Sequence, residues 1–174
     1  MDYVTIIGQG VGILAMLASV VSFQMRTHKS IMLVQILTAI LFSVHFGLLG
    51  GETACVLNAV AVVRNVIFLF QNDSRFCAWR GWTVIFSGVM VLFGALSWEG
   101  WVSIFFDVSM IFNTISLSMS NPQSVRRVIL ISSPLSLIYN ILTLSIGGII
   151  NEVLAGCSAI VGLIRYRNTD KLKE

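Results

Sequence analysis

Seven apolar stretches, each close to bilayer length, follow one another along this chain with only short polar breaks between them. They run over residues 4–23, 31–49, 53–70, 82–96 and 101–119, then from just after Arg126-Arg127 to about residue 144, and over 149–164. Crossing a bilayer as a helix takes about 20 apolar residues. A chain that is 56% hydrophobic and 11% charged has too much apolar surface to hide in one soluble core. Lipid removes the difficulty, because it solvates the side chains while each helix satisfies its own backbone. The class expected is therefore an all-α, polytopic membrane protein, with the lipid bilayer as its first partner. The stretch 82–96 is the shortest, about 22 Å of helix against a core of about 30 Å. It fits either a crossing anchored by Trp82 and Trp98 or a re-entrant pair with the stretch that follows.

The charges choose between these. Lys and Arg collect in loops that stay on the cytoplasmic side. The first break holds Arg26 and Lys29, the third Arg75 and Arg80, and the fifth Arg126 and Arg127. The tail 165–174 holds Arg165, Arg167, Lys171 and Lys173. The second, fourth and sixth breaks hold no Lys or Arg, and the charged residues in or beside them are Glu52, Glu99 and Glu152. The alternation is consistent only if 82–96 crosses, and it predicts seven transmembrane helices, N-out and C-in. The net charge of +3 is thus a topology signal. Its basic residues stand singly or in pairs, without the aromatic-interleaved patch of a nucleic-acid binder.

The breaks have their own chemistry. Gly50-Gly51-Glu52, Ser97-Trp98-Glu99-Gly100 and Gly147-Gly148 predict tight turns, and Asn121-Pro122-Gln123-Ser124 predicts a chain break. Met1-Asp2-Tyr3 lacks a positive leader, so the first stretch is expected as a spanning helix, not a removable signal peptide. Cys55, Cys77 and Cys157 form no CxxC or metal spacing, and their odd number argues against a disulfide framework. No lipidation motif, cofactor motif, metal-binding set or catalytic constellation is present, so neither a cofactor nor an enzymatic activity is expected.

A shift of 94 positions lays Met16 on Met110, Ser22 on Ser116, Met25 on Met119, Ser30 on Ser124, Val34 on Val128 and His45 on Tyr139. This predicts two three-helix repeats, 4–70 and 101–164, in one membrane domain. An odd number of helices per unit would invert the second unit. The helix at 82–96 restores its direction, giving a parallel 3+1+3 arrangement about an axis along the membrane normal.

Ser22-Phe23-Gln24-Met25-Arg26-Thr27-His28-Lys29-Ser30, Ser43-Val44-His45-Phe46-Gly47-Leu48-Leu49-Gly50-Gly51, Asn58 and Arg64-Asn65 carry a resemblance to the YgjV family of bacterial inner membrane proteins. It extends over nearly the whole chain and implies the bacterial inner membrane as its location. More distantly the pattern is similar to SWEET, SemiSWEET and PQ-loop transporters. Lys29-Ser30 matches their basic loop, Phe46-Gly47 their aromatic–glycine pair, and Asn58 their solute-site asparagine. The sequence departs from them in two places. Phe23-Gln24 stands where they carry Pro-Gln, and the position opposite Asn58 falls near Ala155.

Ionisable and amide groups at bilayer depth are costly and are functional candidates by default. Asn58, Asp107, His45, Tyr139 and Asn140 fall at comparable depth and predict one polar layer able to bind a solute. Arg64, Asn65 and Asn113 are a second intramembrane polar set. Each has a plainer alternative: interhelical hydrogen bonds for the asparagines, worth about 0.6–2 kcal/mol each, packing for His45, and snorkelling for Arg64. Gly8 and Gly12, four apart, predict a close helix contact. Two functions fit: a small-solute transporter or facilitator that rocks two three-helix halves in SWEET-like alternating access, or a non-transporting assembly or receptor partner. The sequence leaves open both a single chain and a homo-oligomer.

Overall fold

A computed structural model describes residues 3–50, 52–96, 101–142 and 146–167. Seven α-helices form there: α1 (Tyr3–Ser22), α2 (His28–Leu48), α3 (Glu52–Leu69), α4 (Gly81–Leu96), α5 (Ser103–Leu117), α6 (Pro122–Leu142) and α7 (Ile146–Arg165). Four are long and apolar enough to cross a membrane: α1, α2, α6 and Gly148–Arg165 of α7. Ala54–Leu69, Gly81–Leu96 and Ile104–Leu117 are apolar and shorter. The turn expected at 97–100, with its Glu99, and the tail beyond residue 167 lie outside the described residues.

Capping side chains and Pro122 set helix ends, and they shift two expected boundaries. Thr27 is extended, and its hydroxyl accepts from the Ser30 N–H at 3.2 Å, so α2 starts at His28, ahead of its apolar run. Gly50 takes φ +78°, a left-handed stop that suits a residue without Cβ. The Asn121 side chain accepts from the Gln123 N–H at 2.8 Å, and Pro122 is the first helical residue, where its missing N–H costs nothing. The expected chain break is therefore a helix start, and Arg126 and Arg127 belong to α6, not to a loop. Likewise α7 begins at Ile146, so the expected Gly147-Gly148 turn lies inside the helix and Glu152 sits within it.

The outward faces are apolar. Val84 is 73% exposed and Ile164 70%, and similar side chains stud every helix. Water would not tolerate so continuous a surface, and lipid does. Within the bundle α2 packs against both α1 and α3, and α6 against both α5 and α7. The helix α4 lies on α5 and α3, and α1 meets α7.

One end of the bundle holds an apolar core. Phe23, Ile31, Phe68, Phe86, Leu117 and Val125 form one buried cluster, so the ends of α1, α3 and α5 meet the starts of α2, α4 and α6. Arg26, Lys29, Arg75, Arg80 and Arg127 stand on or beside these same helix ends, which makes this the basic end. A polar clasp ties α1 to α6 and α7 there. The last carbonyls of a helix and the turn after it lack backbone partners. Arg126, fully buried, donates from Nε to the Phe23 carbonyl at 2.8 Å and from Nη2 to that of Met25. Its guanidinium lies 5.1 Å from the Tyr166 ring centroid, and the Tyr166 hydroxyl donates to the Gln24 carbonyl at 3.1 Å. The Gln24 amide donates to the Ser158 carbonyl and hydroxyl at 2.6 and 2.8 Å, tying α1 to α7. Gly162 makes the approach feasible, since a Cβ there would fall 2.5 Å from the Phe23 carbonyl oxygen.

Candidate functional site: a polar cavity above the basic end

Beyond this core the helices part around two cavities of about 310 and 590 Å³, and a third, of about 750 Å³, lies at the basic end itself, between the α3–α4 turn and the turn that leads into α6. The first two share Phe42, Phe46, Asn58, Phe106, Met110 and the Asn151-Glu152 pair as wall. The smaller of these is deep and reaches Arg64 and Asn65. The larger of the two reaches Gln9, His45, Asn140 and Gly148, near the opposite helix ends.

Helical period explains how so few helices supply so many groups. On α3 the lining residues are Ala54, Leu57, Asn58, Ala61, Arg64 and Asn65, one face at spacings of three and four. On α2 they are Gln35, Thr38, Ala39, Phe42 and Phe46, the same stripe. Phe106, Asp107, Met110 and Asn113 come from α5, and Met90 and Gly94 from α4.

Of the five residues expected in one polar layer, Asn58 and Asp107 line the deep cavity, and Asn58, His45 and Asn140 line the larger one. Tyr139 lines neither, and its ring lies 4.9 Å from that of Phe106, which lines both. All three of the second set, Arg64, Asn65 and Asn113, line the deep cavity.

Their local bonds differ. Asn58 donates to the Ala54 carbonyl at 2.8 Å and Asn140 to that of Ser136 at 2.9 Å, so these amides bond back along their own helices. The His45 Nδ1 lies 2.7 Å from the Gly8 carbonyl oxygen. A carbonyl only accepts, so Nδ1 carries the proton of this bond. The ring fits because Gly12 has no side chain: a Cβ there would lie 2.6 Å from Nδ1. The Gly8 and Gly12 face thus packs against the end of α2, the close contact its spacing predicts.

Arg64 does not snorkel. It is 5% exposed and donates from Nη1 to the Thr114 hydroxyl at 3.0 Å and from Nε to the Asn65 side-chain Oδ1 at 3.1 Å. Thr114 passes its own proton to the Met110 carbonyl at 2.9 Å, so the guanidinium ties α3 to α5 through a satisfied hydroxyl. Among the described residues the only ion pair is the exposed Lys29–Asp73 contact at 2.8 Å, so Arg64 has no carboxylate partner. Asp107 instead lies against α4. A Cβ on Gly94 would fall 1.9 Å from its Oδ1, and no hydrogen-bond partner meets its carboxylate among the described residues.

Sequence reasoning missed Glu152, which lines both cavities. Its carboxylate accepts from the Ser133 hydroxyl at 2.6 Å and from the Asn151 side chain. The Asn151 side-chain Oδ1 is buried without a partner among the described residues. The available signal was the serine stripe Ser132, Ser133 and Ser136 on α6, a polar face that needed an occupant opposite it.

No curated protein and no solved structure matches the chain. A family model described as a bacterial inner membrane protein, Imp-YgjV, matches residues 6–170. With nearly the whole length covered, an apolar exterior and several helices able to span a bilayer, the chain belongs to the YgjV family of bacterial inner membrane proteins.

Proposed function

We propose that this protein carries a small polar solute across the inner membrane through the cavity between α1–α3 and α5–α7. The observation that supports this most is a polar cavity whose walls come from both helix triplets, set beyond an apolar core at the basic end. A purely structural bundle would close such a space, because buried amides and charges without partners are costly in a membrane. In this reading each triplet is one repeat, packed around its middle helix, and α4 links them so that they run parallel. The 3+1+3 arrangement then works as SWEET-type carriers do, by rocking one triplet on the other. The basic end lies in the cytoplasm by the positive-inside rule, and the cavity faces outward.

The test is flux. The purified chain, reconstituted into liposomes, is offered labelled alanine, propionate and glucose. A carrier gives uptake of at least one, which falls at least tenfold in Asn58→Ala and Asp107→Asn while both variants still elute as folded protein. A folded protein that moves none of these, and co-purifies with a stable membrane partner, supports the assembly or receptor role instead.

A further inference from the structure

From the charges of the deep cavity we infer that the solute is a small zwitterion of the amino-acid type, its carboxylate on Arg64 and its ammonium toward Asp107 and the Asn151-Glu152 pair. The inference rests on the carrier reading and narrows it. Four observations meet in the same space. Arg64 is a buried cation with no ion-pair partner, and two of its five N–H groups are used by Asn65 and Thr114. Asp107 and Glu152 bring two carboxylates into the same wall. The Asn151 side-chain Oδ1 is a buried acceptor awaiting a donor. The space of about 310 Å³ is at the small end for ligand sites and suits an amino acid, not a large metabolite.

The spacing separates the two poles. Arg64 is held at the level of Thr114 on α5, seven residues beyond Asp107, or about 10 Å along the helix. That gap keeps the protein's own charges from neutralising each other. A carboxylate beside the guanidinium and an ammonium beside the aspartate, each in a charge-assisted hydrogen bond of about 2.7–2.9 Å, bridge it with a short ligand. Other chemistries satisfy half the site. A simple anion answers Arg64 and leaves the carboxylates and Asn151 unmet. An amine does the reverse. A sugar supplies hydrogen bonds but leaves the buried cation uncompensated.

Proteoliposomes containing the full chain test this with labelled alanine, γ-aminobutyrate, propionate, ethylamine and glucose. We expect uptake of alanine or γ-aminobutyrate at least tenfold above protein-free vesicles, with a hundredfold excess of propionate, ethylamine or glucose reducing it by less than half. Arg64→Gln lowers that uptake at least tenfold, and Arg64→Lys restores part of it. Should Arg64→Gln fail to elute as folded protein, Asn151→Leu and Asp107→Asn carry the test, each with at least a fivefold loss. Propionate or glucose moving as well as alanine overturns the zwitterion while leaving a carrier standing. No flux of any of the five overturns the carrier reading and this inference with it.

Discussion

At the scale of single residues the cavity depends on what glycine leaves out. Gly94 gives Asp107 room against α4, and the obstruction to a Cβ is the far end of a side chain that can turn. Gly94→Ala should therefore leave stability within about 1 kcal/mol of the parent, since alanine's helix propensity offsets the crowding. It should nevertheless cut solute flux as deeply as Asp107→Asn, because the carboxylate is displaced. Thermal unfolding in detergent and liposome uptake read the two effects separately, and unchanged uptake would remove Asp107 from the site. Asn58, Arg64 and Asn65 were each legible in the sequence as intramembrane polar residues, though in two separate sets, and the structure puts all three on one face of α3. Glu152 was not legible as a cavity residue, because the charge pattern groups it with the acids of the turns, although the expected stretch 149–164 contains it. Nor was the role of Arg126, whose partners are the backbone carbonyls of Phe23 and Met25, and carbonyls leave no mark in a residue pattern.

At the scale of helices the apolar runs located all seven elements, and capping chemistry moved their ends. Thr27 and the Asn121-Pro122 pair start helices before their apolar stretches begin, which is why Arg126 enters α6 and reaches the end of α1. The clasp it forms should be worth far more than a surface contact. Arg126→Ala removes hydrogen bonds from a charged donor to buried carbonyls and should cost about 3 kcal/mol or more. Arg126→Lys should recover little, because an ammonium lacks the fork that serves two carbonyls at once. Gly162→Ala should also destabilise, unlike Gly94→Ala, because its Cβ would meet backbone at Phe23 and not a movable side-chain tip. Unfolding midpoints for the three variants check this ordering. The same clasp joins α1 to α7 and must loosen if the two triplets rock. A cross-link between Gln24→Cys and Ser158→Cys, in a background without the native cysteines, should abolish flux and release it on reduction. Flux that survives the cross-link would exclude opening at this end.

For the whole molecule, the chain carries its own reporter of which end faces which compartment. The apolar core and the clasp stand at the end where the basic residues gather, and the polar cavity with Asn58 and His45 lies toward the other. Lys and Arg resist translocation, so the basic end should be cytoplasmic. Cys77 lies at that end, in the turn between α3 and α4, and is partly exposed. Tyr3 lies at the opposite end and is 84% exposed. With Cys55→Ser and Cys157→Ser in place, a membrane-impermeant maleimide should leave Cys77 unlabelled in intact spheroplasts and label it after permeabilisation. Tyr3→Cys, with Cys77→Ser added, should label in both. This pattern puts the cavity in contact with the outer compartment, where a solute would enter. The reverse pattern would turn the protein over, and the cavity with its charged groups would then receive its solute from the cytoplasm. Labelling of both positions from outside would be incompatible with the helices running between the two ends across the bilayer, and would overturn the seven-crossing topology on which the parallel triplets depend.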